Sequence, residues 1–109
     1  MKYLLDTSVI IDILRNKSLS DFLDEHDDDE IITSCICEAE ISAGLFREKQ
    51  ESVAKKRELK EKIFSSFGKV VQFDSQQAEF FGKIHAQLAL QGKLIDDMDI
   101  LIAAAAMVN

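Results

Sequence analysis

Three carboxylates stand inside apolar runs: Asp6 in LLDTSVIIDIL, Glu40 in ICEAEISAGL and Asp99 in IDDMDILIAAAAM. Such runs are expected to build core, and an unpaired carboxylate is costly to bury. A divalent cation relieves that cost. Carboxylate oxygens with water are the donors that suit Mg²⁺ or Mn²⁺. An ion held there orients a water, lowers its pKa and offsets charge building on a phosphate under attack, with no histidine needed as base. The chemistry indicated is that of a metal-dependent nuclease. Replacing any one of the three by alanine is expected to abolish cleavage and to leave the metal-free fold as stable or more so, because repulsion is relieved.

The elements that must position these acids follow from periodicity. Lys2 to Leu5 reads as a strand buried on both faces, ending at Asp6. Thr7 or Ser8 is expected to cap the next helix, in which Val9, Ile10, Ile13 and Leu14 hold the helical period; the pattern breaks from Arg15 to Lys17. Ser18 or Ser20 opens a short helix through Phe22 and Leu23, and the acidic run from Asp24 to Asp29 reads as a solvated loop. Glu30 to Ser34 is a second strand, rich in β-branched residues.

Ser34 suits the N-cap of a helix from about Cys35 to Lys49. Cys37, Ile41, Gly44 and Leu45 form its apolar stripe, with Glu40 inside the stripe and Glu38 rotated away from it. A polar helix through Leu59 and Ile63 to Phe67 follows, with Gly68 as its C-terminal cap and Lys69 to Phe73 as a third strand. Asp74 and Gln77 have the spacing of a reciprocal cap for a helix carrying Phe80, Phe81, Ile84 and Leu88, which Gly92 ends. Asp96 or Asp97 caps a last helix from about Met98, with Ile102, Ala103 and Ala106 on the side of Asp99. Strand and helix alternate, so the fold class is α/β with a largely parallel sheet. In such sheets the site lies beyond the carboxyl ends of the strands, where all three acids can converge.

A chain of 109 residues supports one domain, residues 1–109, and its composition is that of a folded protein. The net charge of −7 is awkward for a nucleic-acid binder, but it is unevenly spread: Arg47 to Lys62 carries +3 and the remainder −10. That basic stretch reads first as a solvated helix with internal ion pairs, with Lys55, Lys56 and Arg57 the candidates for phosphate contact. Cys35 and Cys37 lack a second pair and read as small core residues in a reducing compartment. His26 and His85 are single surface or helix-face residues. The apolar run from Ile100 to Val108 is too short to span a bilayer, and no targeting segment stands out, so a cytoplasmic location is expected.

LLDTSVIIDIL, the A-E-I-S-A-G segment from Ala39 to Gly44 and the stretch from Phe73 to Met107 together resemble the PIN-domain ribonucleases, in particular the VapC-type toxins of toxin–antitoxin pairs. The resemblance implies a PIN-like three-layer sandwich, a central mostly parallel sheet flanked by helices. It implies a Mg²⁺- or Mn²⁺-dependent endoribonuclease acting on RNA, usually a homodimer, held inactive by a VapB-like antitoxin inserted into the acidic groove. The family's acids fall on Asp6, Glu40 and Asp99 as catalytic and metal-binding residues. Asp97 matches a frequent additional metal-binding acid, and Ser8 the small polar residue two after the first acid. Members usually run on past the A-A-x-A helix into another strand and a T-x-N-x-x-D/H-F segment; here the sequence stops at Asn109, so the sheet is expected to lack its last strand or strands.

Each acid also has a purely structural role open to it. Asp6 suits a helix cap, and at least one of Asp96, Asp97 and Asp99 is expected to be only a cap. Two other functions compete. A receiver-type phosphotransfer domain would use Asp74 as phosphoacceptor, but paired acids beside the first strand and a later lysine are missing. A catalytically inactive antitoxin-binding or decoy module needs no metal at all, and cleavage of RNA with Mn²⁺ separates it from the enzyme.

Overall fold

In the computed structural model, β1 (Lys2–Leu5), β2 (Glu30–Ser34) and β3 (Lys69–Val71) form one sheet in the order β1-β2-β3, with both pairings parallel. All residues are described except 17, 18, 48, 50, 51 and 66. The helices are α1 (Thr7–Asn16), α2 (Leu19–Glu25), α3 (Cys35–Arg47), α4 (Val53–Ser65), α5 (Ser75–Leu90) and α6 (Asp97–Val108). The expected break at Lys17 and cap at Ser18 lie outside the described residues. β1 is an edge strand, paired on one side only among the described residues.

The central strand shows why the sheet must be covered twice. Alternate side chains of a strand point to opposite faces, and Ile31, Ile32, Thr33 and Ser34 are all buried. Ile31 joins Leu5 and residues of α1 to α4, including Ile10, Ile13, Phe22, Ile41 and Phe64, in the larger core. Ile32 faces the other way, meeting Val71 and Ala105 of α6. The result is helices on both faces of a parallel sheet, as the sequence pattern implied. None of the described helices is long and apolar enough to cross a membrane.

Local chemistry sets the helix ends, not always by the expected residue. Asp6, rather than Thr7 or Ser8, caps α1. Ser34 caps α3, its hydroxyl accepting from the Cys37 amide at 3.3 Å. α4 ends at Ser65, and Gly68 does not cap it. Its N–H donates instead to the Ile31 carbonyl at 3.0 Å, and a β-carbon there would stand 3.2 Å from that oxygen. β3 stops at Val71, short of Phe73.

Asp74 caps α5 by accepting from the Gln77 amide at 2.8 Å, but the Gln77 side chain donates to the Gln72 carbonyl rather than returning to the cap. Gly92 adopts φ 67°, and α5 closes through Gly92 N–H to Ala89 and Lys93 N–H to Leu88, the paired bonds of a Schellman ending.

The acidic loop before β2 is not merely solvated. Asp29 accepts from His26 Nδ1 at 2.9 Å and from the Met1 ammonium at 3.0 Å, and the His26 ring packs 4.6 Å from Phe22. The His26 hydrogen bond, seconded by the ammonium, holds the Asp29 carboxyl below the usual aspartate range. A lowered folded pKa adds stability above the unfolded pKa, and that stability is lost as pH falls through the folded value. Asp29→Asn is therefore expected to be less stable than the native chain at neutral pH, with the difference vanishing in strongly acidic solution. Urea midpoints over a pH series check this.

Candidate metal centre

β1 delivers the first acid to the carboxyl edge of the sheet along a fixed path. The Leu5 carbonyl accepts from Thr33 Oγ at 3.0 Å and from Cys37 Sγ at 3.5 Å, both side chains fully buried, so the peptide entering Asp6 is pinned to β2 and α3. Asp6 Oδ1 then takes the Val9 amide at 2.9 Å and the Ser8 hydroxyl at 3.1 Å. The capping role is real, and it occupies one oxygen. Oδ2 has no hydrogen-bond partner among the described residues.

Glu40 reaches the same edge from the second turn of α3. Buried Cys37 and Ile41 orient that helix against the core and leave Glu40 half-buried at the rim. Its Oε1 accepts from Thr7 Oγ1 at 2.6 Å, across 33 residues of sequence. Asp99 comes from the first turn of α6, where Asp96 is the cap: its Oδ1 accepts from the Met98 amide at 2.8 Å. Ile100, completely buried, fixes the rotation of α6. The Asp99 carboxylate makes no hydrogen bond or ion pair among the described residues.

Asp6, Glu40 and Asp99 line one cavity of about 220 Å³, together with Thr7, Ser8, Ile11 and Ile102. The three acids gather from β1–α1, α3 and α6. A larger groove of about 640 Å³ continues from Asp6, Ser8 and Asp99 along β1, floored by Leu4, Ala103 and Ala106. One premise needs correction: the acids are not core residues. Asp6 and Glu40 are half-buried and Asp99 is exposed, because each sits before or within the first two turns of a helix, where the apolar face gives way to the sheet edge. Convergence, not burial, is what the sequence pattern encoded.

Other expected participants lie apart. Asp97 does not line the cavity; it is largely exposed and stands 3.8 Å from His85 Nε2 on α5. Glu38 turns toward α4 and pairs with Lys60 at 3.6 Å. Asp74, the phosphoacceptor of the receiver-type alternative, is spent on the cap of α5. By local sequence Thr7 suits only a helix cap. Its link to Glu40 has no signal in local spacing, because it joins segments that meet only through the parallel pairing of β1 with β2.

The donor set is informative. No lysine, arginine or histidine among the described residues lines the cavity, so three carboxylates face one space without a counter-charge from them. Among the described residues no three His, Cys, Asp or Glu side chains stand close enough together to hold a metal ion, so the three acids share a cavity without forming a ready-made metal cluster. Their donor type, carboxylate oxygen without thiolate or imidazole, is that of a hard cation that keeps several waters rather than of zinc.

The chain belongs to the PIN domain family, whose model matches residues 3–109. It is similar to Ribonuclease VapC1 of Methanocaldococcus jannaschii, 34% identical over 108 residues that cover 99% of this chain and 70% of the relative. Ribonuclease VapC2 of Haemophilus influenzae is 32% identical, with 97% of this chain and 79% of the relative covered. Among solved structures, VapBC-1 of nontypeable Haemophilus influenzae superposes with a TM-score of 0.81 at 25% identity, over 98% of this chain and 80% of that one.

Proposed function

We propose that this protein is a VapC-like endoribonuclease toxin that holds Mg²⁺ or Mn²⁺ on Asp6, Glu40 and Asp99. The observation that carries the reading is the joint lining of one cavity, at the carboxyl edge of a parallel sheet, by three carboxylates with no cationic side chain beside them among the described residues. The names of the relatives, both ribonucleases, support the substrate class.

When bound, the cation supplies positive charge beside the scissile phosphate and an acidified water. The chain's own residues do the rest. Asp6 offers the oxygen its cap leaves unused, Glu40 offers the one Thr7 leaves unused, and Asp99 offers an unengaged carboxylate. Ser8, held against Asp6, keeps that carboxylate from rotating. Asp97 stands outside the cavity and is at most an outer contributor to the local field. Without a cation the three charges repel a polyanion, so RNA approach and ion binding are coupled.

A VapB-like antitoxin is the proposed inhibitor, in line with VapBC-1 being a structural neighbour. We further propose a homodimer in the cytoplasm; Leu90, Leu94, Ile95 and Met107 are exposed apolar side chains available to a partner chain. The test is cleavage of labelled RNA with Mn²⁺ by the native chain and by Asp6→Asn. Cleavage by the native chain alone is expected. Equal activity in both, or cleavage that survives chelation, counts against the reading.

A further inference from the structure

We infer that Thr7 is a positioning residue for the acidic site, whose hydroxyl fixes Glu40 so that its second carboxylate oxygen faces the cavity. The inference rests on the metal-dependent reading above and adds to it the device that orders one of the ligands.

The three acids are held by different means. Asp6 is short and locked by its own cap bonds. Asp99 is unengaged. Glu40 has the longest side chain and stands half-buried, and among the described residues its carboxylate makes one hydrogen bond, accepting from Thr7 Oγ1 at 2.6 Å. That length is typical of a hydroxyl donating to a charged carboxylate. A threonine inside a helix commonly turns its hydroxyl back to a carbonyl one turn earlier. Thr7 is the first residue of α1, so no such carbonyl lies behind it. Its single proton is free to cross to α3, against which α1 packs.

The dipeptide Asp6-Thr7 therefore sets two of the three acids at once, one through the helix cap and one through the hydroxyl. A residue that orients a ligand without touching the ion typically changes metal affinity by about ten- to a hundredfold when removed. If Thr7 served only packing or stability, its loss would lower the melting temperature and leave ion affinity alone.

The experiment uses the full chain as native, Thr7→Val and Thr7→Ser. It measures Mn²⁺ binding by calorimetry without RNA, melting without metal, and RNA cleavage across a Mn²⁺ series. Thr7→Val is expected to weaken Mn²⁺ binding about tenfold or more, and to regain most of its cleavage as Mn²⁺ is raised. Thr7→Ser, which keeps the hydroxyl, is expected to bind within about twofold of native on the same argument. Native affinity in Thr7→Val, or a cleavage defect that Mn²⁺ does not relieve, overturns the assignment. Should Thr7→Val fail to fold, Thr7→Ala carries the same comparison. A native chain that neither binds Mn²⁺ nor cleaves RNA removes the metal reading itself and the role of Thr7 with it; a native chain that does both while Thr7→Val matches it removes only the role of Thr7.

Discussion

Asp6→Asn is expected to lower RNA cleavage by about a hundred- to a thousandfold and to leave thermal stability nearly unchanged. Asparagine is as good an N-cap as aspartate, so the bonds to the Val9 amide and the Ser8 hydroxyl can persist while the charge is lost. The variant therefore separates the two roles of this residue. Asp6→Ala removes both, and is expected to lose about 1 kcal/mol of stability besides its activity. For Asp6 this replaces the expectation from sequence that every alanine variant would be as stable as native, because the cap bonds seen in the structure oppose the relief of repulsion.

Asp99→Asn and Glu40→Gln should show comparable losses of cleavage. For Asp99, relief of repulsion is opposed by loss of a favourable charge in the first turn of α6, so its stability should move little. Cleavage rates and melting curves on the same preparations decide these points. Retained activity in Asp6→Asn would mean that the carboxylate is a cap and nothing more.

Ile32→Ala is expected to cost roughly 2–5 kcal/mol, and Ile32→Val only about 0.5–1.5 kcal/mol. Ile32 is 1% exposed at the centre of β2 and belongs to the smaller core with Val71 and Ala105. A small core has few neighbours able to collapse into the space left. For a domain of this size each kcal/mol lowers the melting temperature by about 4–8 °C, so the alanine variant should melt at least about 8 °C lower. β2 also carries Thr33 into its bond with Leu5 and runs directly into α3, so the second core supports the path to Glu40. A urea midpoint for Ile32→Ala within experimental error of native would show that the α5–α6 side of the sheet contributes little to stability.

Much of the architecture was legible because it rests on local pattern. β1 and β2 occur with the bounds read from sequence, but only β2 is the buried, β-branched run expected; β1, Lys-Tyr-Leu-Leu, is not buried on both faces, because at the sheet edge Lys2 and Tyr3 stay exposed. Asp96, Ser34 and Asp74 act as caps for the reason their side chains allow, an oxygen within reach of the second or third amide. Gly92 was legible as the residue that ends α5, and its φ of 67° is why a glycine suits that place. Gly68 was misread because its role is tertiary: it brings its N–H against Ile31 at the entry to β3, a contact that no window around Gly68 contains.

The same division holds at the site. Asp6, Glu40 and Asp99 could be picked out because a carboxylate in an apolar run is conspicuous, and their convergence followed from strand polarity. Their exposure was not legible, since periodicity tells which face a residue lies on and not how close to the rim it sits. Asp97 and Asp99 look equivalent in IDDMDIL. The turn between them sends Asp97 toward His85 and Asp99 to the cavity. Thr7, next to a conspicuous acid, was overshadowed by its value as a cap.

The central claim is that one cation site is built by Asp6, Glu40 and Asp99. Its most direct test is a titration of the ¹⁵N-labelled chain with substoichiometric Mn²⁺, reading paramagnetic broadening of backbone amides. The account predicts selective loss of signals from residues 6–8, around Glu40 and around Asp99, and its absence in Asp6→Asn. Broadening centred instead on the acidic run from Asp24 to Glu30, or none at all, would contradict it.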